Sequence, residues 1–407
     1  MQIKPLLLYL VFKLLLLNSI NAQTIHTDKV DLGLYPEFSW DKLPLYMHVR
    51  KDKAFTVEEL KYLAKFPLIT LEKTTGAKQY GNTEQGSLEA AKLIKYYNPD
   101  TKIIYYKNVV INWGTYKEDK AFLRQNPEAL LRDKKGELIF MKNGKTPFFD
   151  ISQDYVREYW LQHVQKRVID SPFDGLFMDA NIKVLSNFFK SETGTVKLNS
   201  IQEGYYDMMY KLNEELSEQK LLIANIIRVR PEPIFKEDAG LSLLKYFHGS
   251  YLEGFDSQGF GLSSQEYLAK GIEATQKAAR NGKIIAMTLG LGKAINTHNN
   301  TGIDDQREKL GIDENLKKRI DYLIGVFLIC AEKYSYLYLH DGYSADYDKK
   351  ANQYESLVWL KTFPQYLKPL GKPKGYAKRE GYIYTRSFEY LDVWVDIKNQ
   401  KAHLDWK

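Results

Sequence analysis

From Leu45 onward, short runs of aliphatic, β-branched and aromatic residues alternate with longer stretches whose apolar positions recur every three to four residues. The short runs fit strands and the long ones amphipathic helices; their regular alternation is the pattern of βα units built around a parallel sheet. Eight strands are predicted, at Leu45–Val49, Leu68–Leu71, Lys102–Tyr106, Gly175–Met178, Leu221–Asn225, Ser250–Glu253, Lys283–Thr288 and Ser335–His340. Helical patterns lie between them, among them Thr56–Phe66, Ser87–Tyr97, Gln153–Ile169, Ile201–Gln219, Ser264–Arg280 and Asn315–Glu332. Eight strands alternating with helices over about 300 residues predict an α/β fold, the (β/α)8 TIM barrel.

Two connections are long. The third passes through Asn112-Trp113-Gly114, a helix near Glu118–Arg124 and a turn at Lys134-Lys135-Gly136. The other runs from Leu289 to about Ile312; its glycines, Gly290 and Gly292, lack the third glycine and acidic partner of a nucleotide motif, so it reads as a mobile rim loop. After Pro364 the pattern changes. A linker, Lys368 to Pro373, leads into alternating runs at Tyr382–Arg386, Tyr390–Ile397 and Ala402–Trp406, which predict antiparallel strands. Three short strands bury little by themselves, so this piece is expected to pack on the barrel. The predicted layout is a barrel over residues 23–363 and a small β-rich domain over 364–407.

The first 22 residues stand apart. Lys4, an apolar stretch Leu6–Leu17 broken by Lys13, and the exit Ile20-Asn21-Ala22 have the layout of a secretory signal peptide. The stretch is short for a bilayer span. Cleavage after Ala22 and a secreted or periplasmic protein without stable membrane insertion are the expectation. The mature chain then carries 56 basic against 51 acidic residues, net +5, interspersed rather than gathered into the stripe that a nucleic-acid binder shows. The one cysteine, Cys330, lies in the apolar run Leu323–Ala331 and reads as a buried small hydrophobe. About 385 mature residues are enough to build a core without disulfides. Thirty tyrosines suit stacking on sugar rings, although aromatic residues also fill cores.

In a barrel of this kind, chemistry sits on the residues that end the strands. Strand four runs almost wholly apolar through Gly175-Leu176-Phe177-Met178 and stops in Asp179. Strand six, Ser250-Tyr251-Leu252, ends in Glu253, with Asp256 three residues on as the competitor for the same role. Glycoside cleavage needs two carboxyl groups, one to protonate the leaving oxygen and one to attack the anomeric carbon or activate water. Strands four and six lie near enough around a barrel to supply them. Other strand ends offer substrate-binding groups: Tyr46, His48, Glu72, Lys107, Asn108, Asn181, Asn225, Arg228, His340 and Asp341, with Trp113 in the long third loop. No His-Glu-x-x-His zinc motif or Gly-x-Ser-x-Gly elbow is present, and no cofactor or metal is expected. His48-Val49-Arg50 lacks the adjacency and the second carboxylate pair of a metal-dependent phosphodiesterase.

Phe173-Asp174-Gly175-Leu176-Phe177-Met178-Asp179, Tyr251-Leu252-Glu253-Gly254-Phe255, Leu370-Gly371-Lys372-Pro373 and Tyr384-Thr385-Arg386-Ser387-Phe388 together resemble the fifteenth of the hypothetical glycosyl-hydrolase-like TIM-barrel families, over roughly Leu45 to the C-terminus. That resemblance implies a catalytic barrel with a C-terminal β domain, acting on a poly- or oligosaccharide through Asp179 and Glu253. The strand-four and strand-six placement is also similar to that of α-galactosidase-type barrels, which implies a retaining mechanism with Asp179 as nucleophile and Glu253 as acid/base. Those enzymes use an aspartate where Glu253 stands. The rival expectation is a non-catalytic barrel that captures glycans at the cell surface. It requires Asp179 and Glu253 to point apart or to be locked in ion pairs.

Overall fold

A computed structural model describes residues 33–255, 262–292, 314–348 and 353–407. Pro36–Lys407 forms one compact unit. The first 22 residues, Asp256 and most of the predicted rim loop after Leu289 lie outside the described residues.

Eight parallel strands pair in sequence order: β1 (Met47–Val49), β2 (Leu68–Leu71), β3 (Lys102–Asn108), β4 (Gly175–Asp179), β5 (Leu221–Asn225), β6 (Gly249–Leu252), β7 (Ile284–Gly290) and β8 (Ser335–His340). The ring closes where Leu45 bridges to Leu337, with Tyr46 N donating to Leu337 O at 2.8 Å and Leu337 N to Pro44 O at 2.9 Å. This is the (β/α)8 barrel that the sequence predicts. Strands such as β2 and β5 are buried along their whole length, as expected of a parallel sheet covered on both faces. Close packing also dictates glycine where strands begin. A Cβ on Gly175 would stand 2.2 Å from Leu221 O, and one on Gly249 2.3 Å from Ile284 O.

The outer helices are α1 (Val57–Leu63), α2 (Ala77–Tyr80), α3 (Thr83–Tyr97), α4 (Lys117–Gln125), α5 (Asp154–Val168), α6 (Asn181–Leu185), α7 (Lys190–Leu216), α8 (Pro233–Lys236), α9 (Ser264–Arg280) and α10 (Glu314–Cys330). Their starts are written locally. Thr56 and Glu59 form a reciprocal capping box on α1, and Ser263 and Glu266 do the same on α9. In the long third connection, the segments on either side of α4 form isolated bridges, Ile111 with Phe148 and Leu130 with Phe149. No helix among the described residues is long and apolar enough to cross a membrane.

Beyond a two-stranded ribbon of β9 (Tyr347–Asp348) and β10 (Gln353–Tyr354), the chain ends in an antiparallel sheet. It is ordered β11 (Lys378–Glu380), β12 (Ile383–Ser387), β13 (Leu391–Asp396) and β14 (Lys401–Trp406). Three of these strands match the predicted ones. The fourth, β11, is Lys-Arg-Glu and exposed throughout, so it carries no hydrophobic alternation to read.

The sheet lies against α10. Gly325 leaves room for it, since a Cβ there would meet Val395 Cγ2 at 2.7 Å and Ala402 Cβ at 3.2 Å. Arg386, buried on β12, donates to the carbonyls of Leu328 (2.9 Å) and Ala331 and pairs with Glu332 at 3.0 Å. It thereby satisfies acceptors that the end of α10 leaves open. Cys330 is buried in the same layer, and burial pushes its thiol pKa up, as befits an inert side chain.

Candidate active site

Strand alternation sends every second side chain into the barrel. The inward residues one step below the strand ends form an aromatic layer. Phe177 stacks on Tyr106 (ring centres 5.5 Å apart) and meets Tyr251 edge-on at 5.0 Å; His48 packs 5.3 Å from Phe177 and 4.9 Å from Tyr251. Tyr46, also buried, donates to Thr70 Oγ1 at 2.6 Å and lies 3.0 Å from His48 Nδ1. Burial, reinforced by the Lys73 charge, holds the His48 pKa well below its ordinary value, which keeps the imidazole neutral.

Above this layer stand Asp179 and Glu253. Tyr106 Oη donates to Asp179 Oδ2 at 2.7 Å, and Ala180 N donates to Oδ1 at 2.8 Å. Asn225, which ends β5 between the two acids, directs its Nδ2 to Asp179 Oδ1 at 3.3 Å and to Glu253 Oε2 at 3.5 Å. Sharing one nitrogen, these two oxygens are at most about 7 Å apart, a span that fits a carboxyl pair on either side of a glycosidic bond. Glu253 Oε1 accepts from Tyr343 Oη at 3.4 Å. Glu253 as a whole residue is exposed at the mouth. A water can touch it, yet crowding by protein still strips much of its hydration. That desolvation and the charge of Asp179 raise its pKa, against the opposing pull of Arg228 and Lys73.

Other candidate residues take several places. Glu72, buried at the end of β2, pairs with Arg50 at 3.3 Å and with Lys73. The Lys73 amine stands 5.1 Å from the Tyr106 ring and 4.8 Å from that of Trp113, which puts Trp113 on the rim. Arg228 Nη2 donates to Asn225 Oδ1 at 3.3 Å. His340 stacks on Tyr343 with ring centres 4.5 Å apart. Asn108 braces the site indirectly: its Nδ2 reaches Tyr106 Oη at 3.3 Å and its Oδ1 accepts from Ile111 N at 2.6 Å.

Three candidates are engaged elsewhere. Lys107 is turned outward by strand alternation, since its neighbours Tyr106 and Asn108 point in; its amine pairs with Asp119 of α4 at 2.6 Å in a fully buried contact. Asn181 is buried at the start of α6, where it donates to Met178 O at 2.8 Å and accepts from Tyr205 at 2.9 Å. Asp341 accepts from Ser356 Oγ and from Leu357 N at 2.7 Å, fastening the segment after β10. Tyr106, Lys73 and Tyr343, absent from the sequence reading, join the site. Tyr106 lies two residues before Asn108 and shares its inward face, which becomes readable once the pairing of Asn108 with Asp179 fixes the register. Tyr343 is placed by a loop after β8, and nothing local in the sequence announces it.

A separate cavity of about 590 Å³ opens where the strands begin, lined by residues such as Leu43, Phe66, Thr101 and Tyr336; no strand-end residue lines it. Among the described residues Glu84, Glu118 and His163 stand close enough to hold a metal, but Glu118 is already met by His163, Lys166 and Arg167, and Glu84 caps the start of α4. That cluster is a structural brace.

A (β/α)8 barrel with polar residues gathered over its C-terminal mouth defines the class, a barrel whose strand ends carry its site. The chain belongs to hypothetical glycosyl hydrolase family 15, whose sequence profile matches residues 95–392. By that description the family is one of glycoside hydrolases. Similar solved structures include a noncanonic maltogenic α-amylase from Thermotoga neapolitana, with 11% identity, TM-score 0.47, and coverage of 90% of this chain and 86% of that one. An α-galactosidase from Geobacillus stearothermophilus in complex with raffinose has 12% identity, TM-score 0.46, and coverage of 88% and 48%. An α-L-fucosidase from Paenibacillus thiaminolyticus has 13% identity, TM-score 0.44, and coverage of 78% and 48%. The chain spans about half the length of the latter two. No curated protein matches it.

Proposed function

We propose that the chain is an exported retaining glycosidase in which Asp179 is the nucleophile and Glu253 the acid/base. The observation that carries this reading is the Asn225 amide, whose Nδ2 is within reach of both carboxylates, 3.3 Å from Asp179 and 3.5 Å from Glu253. Among the described residues neither acid is in an ion pair, which is what the capture reading would require. Glu253 is given the proton role on the amide it shares with Asp179; its competitor Asp256 lies outside the described residues. In the first step an Asp179 oxygen bonds to the anomeric carbon as the glycosidic bond breaks, and the proton of Glu253 passes to the departing oxygen. In the second, the Glu253 carboxylate takes a proton from water, whose oxygen attacks the same carbon and releases Asp179. Export rests on the leader-like first 22 residues.

The test is to screen the mature protein against a panel of plant and marine polysaccharides for new reducing ends, then to follow the first product by proton NMR. Retention predicts that the initial anomer matches the substrate. An initial product of opposite configuration would overturn the assignment of Asp179 as nucleophile, and binding without cleavage across the panel would favour capture.

The pH profile offers a further check. Glu253 must carry its proton to begin the reaction, so its raised pKa places the alkaline limb of kcat/KM above the range of an ordinary glutamate. Arg228 pulls that pKa down. Arg228→Gln is therefore expected to move the alkaline limb to higher pH; a shift to lower pH would remove Glu253 from the acid role.

A further inference from the structure

The terminal sheet has a second face, turned away from the helix that it covers. Alternation along β12, β13 and β14 sends Arg386, Val393, Val395 and Leu404 toward α10. Register lines up the residues between them in two rows on the other side. Thr385, Trp394 and His403 are cross-strand neighbours in one row, and Ser387, Asp392 and Asp405 in the next. The Trp394 and His403 rings lie 5.1 Å apart with 35° between their planes, so they make one aromatic floor.

That floor belongs to a cleft. Five steps of chain, from Pro373 to Lys378, run beside only three on β12, from Phe388 back to Thr385, so the segment has to bulge from the sheet edge. Tyr376 stands on the bulge with 62% of its surface exposed, and the Arg280 guanidinium at the end of α9 lies 4.1 Å from its ring centre. The cleft, with Tyr376 and Trp394 in its lining, has a volume of about 480 Å³ and shares no residue with the strand ends over the barrel. That is the size of a ligand cleft, roughly 300–1,000 Å³.

An exposed aromatic residue by itself needs no function. Trp394, however, is bordered by polar groups of both kinds. Lys374 and Lys378 line the cleft against Asp392 and Asp405, so these charges cancel, and the Arg386 that also borders it is paired with Glu332. A lining without net charge gives an anionic polymer no advantage. A sugar ring matches it, because its C–H face lies flat on an indole while its hydroxyls take donors and acceptors at the rim.

The geometry points to a second carbohydrate site, on the terminal sheet, that takes a neutral glycan chain: one sugar ring stacks on Trp394, and Thr385, Lys378 and Asp405 meet its hydroxyls. Trp394, His403 and Asp405 lie past residue 392, where the family profile ends, so that match gives them no role. The site does not depend on Asp179 and Glu253 being the catalytic pair.

Affinity electrophoresis tests it. The mature protein is run through native gels cast with glucomannan, galactomannan, mixed-linkage β-glucan or pullulan, and with polygalacturonate as the anionic arm. At least one neutral polysaccharide is expected to slow it, and polygalacturonate to slow it less. Trp394→Ala is expected to weaken that retention about tenfold or more, the worth of one stacked ring. Trp394→Phe keeps a flat face and should retain most of it. Asp405→Ala, on an exposed position that the packing does not use, is expected to cost about threefold with the thermal melt unchanged, which guards against a Trp394→Ala sheet that fails to fold. Retention by no neutral polysaccharide, stronger retention by polygalacturonate, or retention unmoved by both alanine substitutions overturns the proposal. The hydrolytic reading fails separately. If the unsubstituted protein is slowed through Trp394 but cleaves none of these chains, the sheet site stands and hydrolysis falls; cleavage without Trp394-dependent retention does the reverse.

Discussion

Asp179→Asn is expected to lower kcat by roughly 10⁴-fold or more, because in the proposed retaining mechanism it removes the nucleophilic oxygen and leaves no substitute. The fold should tolerate the change. An asparagine keeps an oxygen to accept from Tyr106 or Ala180 N, and Asp179 is in no ion pair among the described residues. Glu253→Gln is expected to cost roughly 10²- to 10⁴-fold, the range for a lost proton donor. The two losses differ in kind. With an aryl glycoside whose phenol leaves readily, protonation matters less, so the Glu253→Gln deficit in the first step should shrink while that of Asp179→Asn persists. Steady-state rates on one natural and one aryl glycoside, with a thermal melt of each variant, make the comparison. Full activity in either variant removes that residue from the mechanism.

Lys107→Met is expected to cost about 3–5 kcal/mol of stability, the range for breaking a buried ion pair from one side. Lys107 and Asp119 are 2% and 1% exposed, so Asp119 would be left charged in a place that water cannot reach. Tyr159 still donates to it at 2.6 Å, and one neutral donor does not replace an ammonium. The lost packing is smaller, since methionine can lie over the Tyr116 ring where the lysine amine now stands 4.2 Å away. Removing the second charge should repair the first loss, so Lys107→Met with Asp119→Leu is expected to recover most of it. Urea denaturation of the single and double variants measures this, and kcat of the folded single variant should stay near the unsubstituted value. A large drop in kcat with stability intact would return Lys107 to the active site.

Lys107 marks the limit of what the chain discloses by itself. Hydrophobic runs locate strands well: Leu68–Leu71, Leu221–Asn225 and Ser335–His340 begin and end where the pattern puts them. The same runs point to Asp179 and Glu253 as strand ends, but which flanking residues face inward depends on register. Asn108 pairs with Asp179 across β3 and β4, which turns Tyr106 inward and Lys107 outward. A polar residue at the close of a strand reads alike in either orientation until one inward neighbour is fixed. Contacts such as Tyr343 to Glu253, 90 residues apart, arise only when the ring closes. Asn181 and Asp341 carry the polar chemistry of a sugar site and spend it on backbone and neighbouring side chains, a choice that composition cannot reveal.

The fit of the terminal sheet on α10 bears on how this chain can be cut. Ending the protein at the Lys368–Pro373 linker would bare the helix flank around Gly325 and strand the carbonyls that Arg386 now satisfies. The shortened product would present a greasy stripe to its neighbours and tend to clump. The last three dozen residues therefore work as a lid on the barrel's outer wall, and any expression strategy or domain transplant has to carry them along.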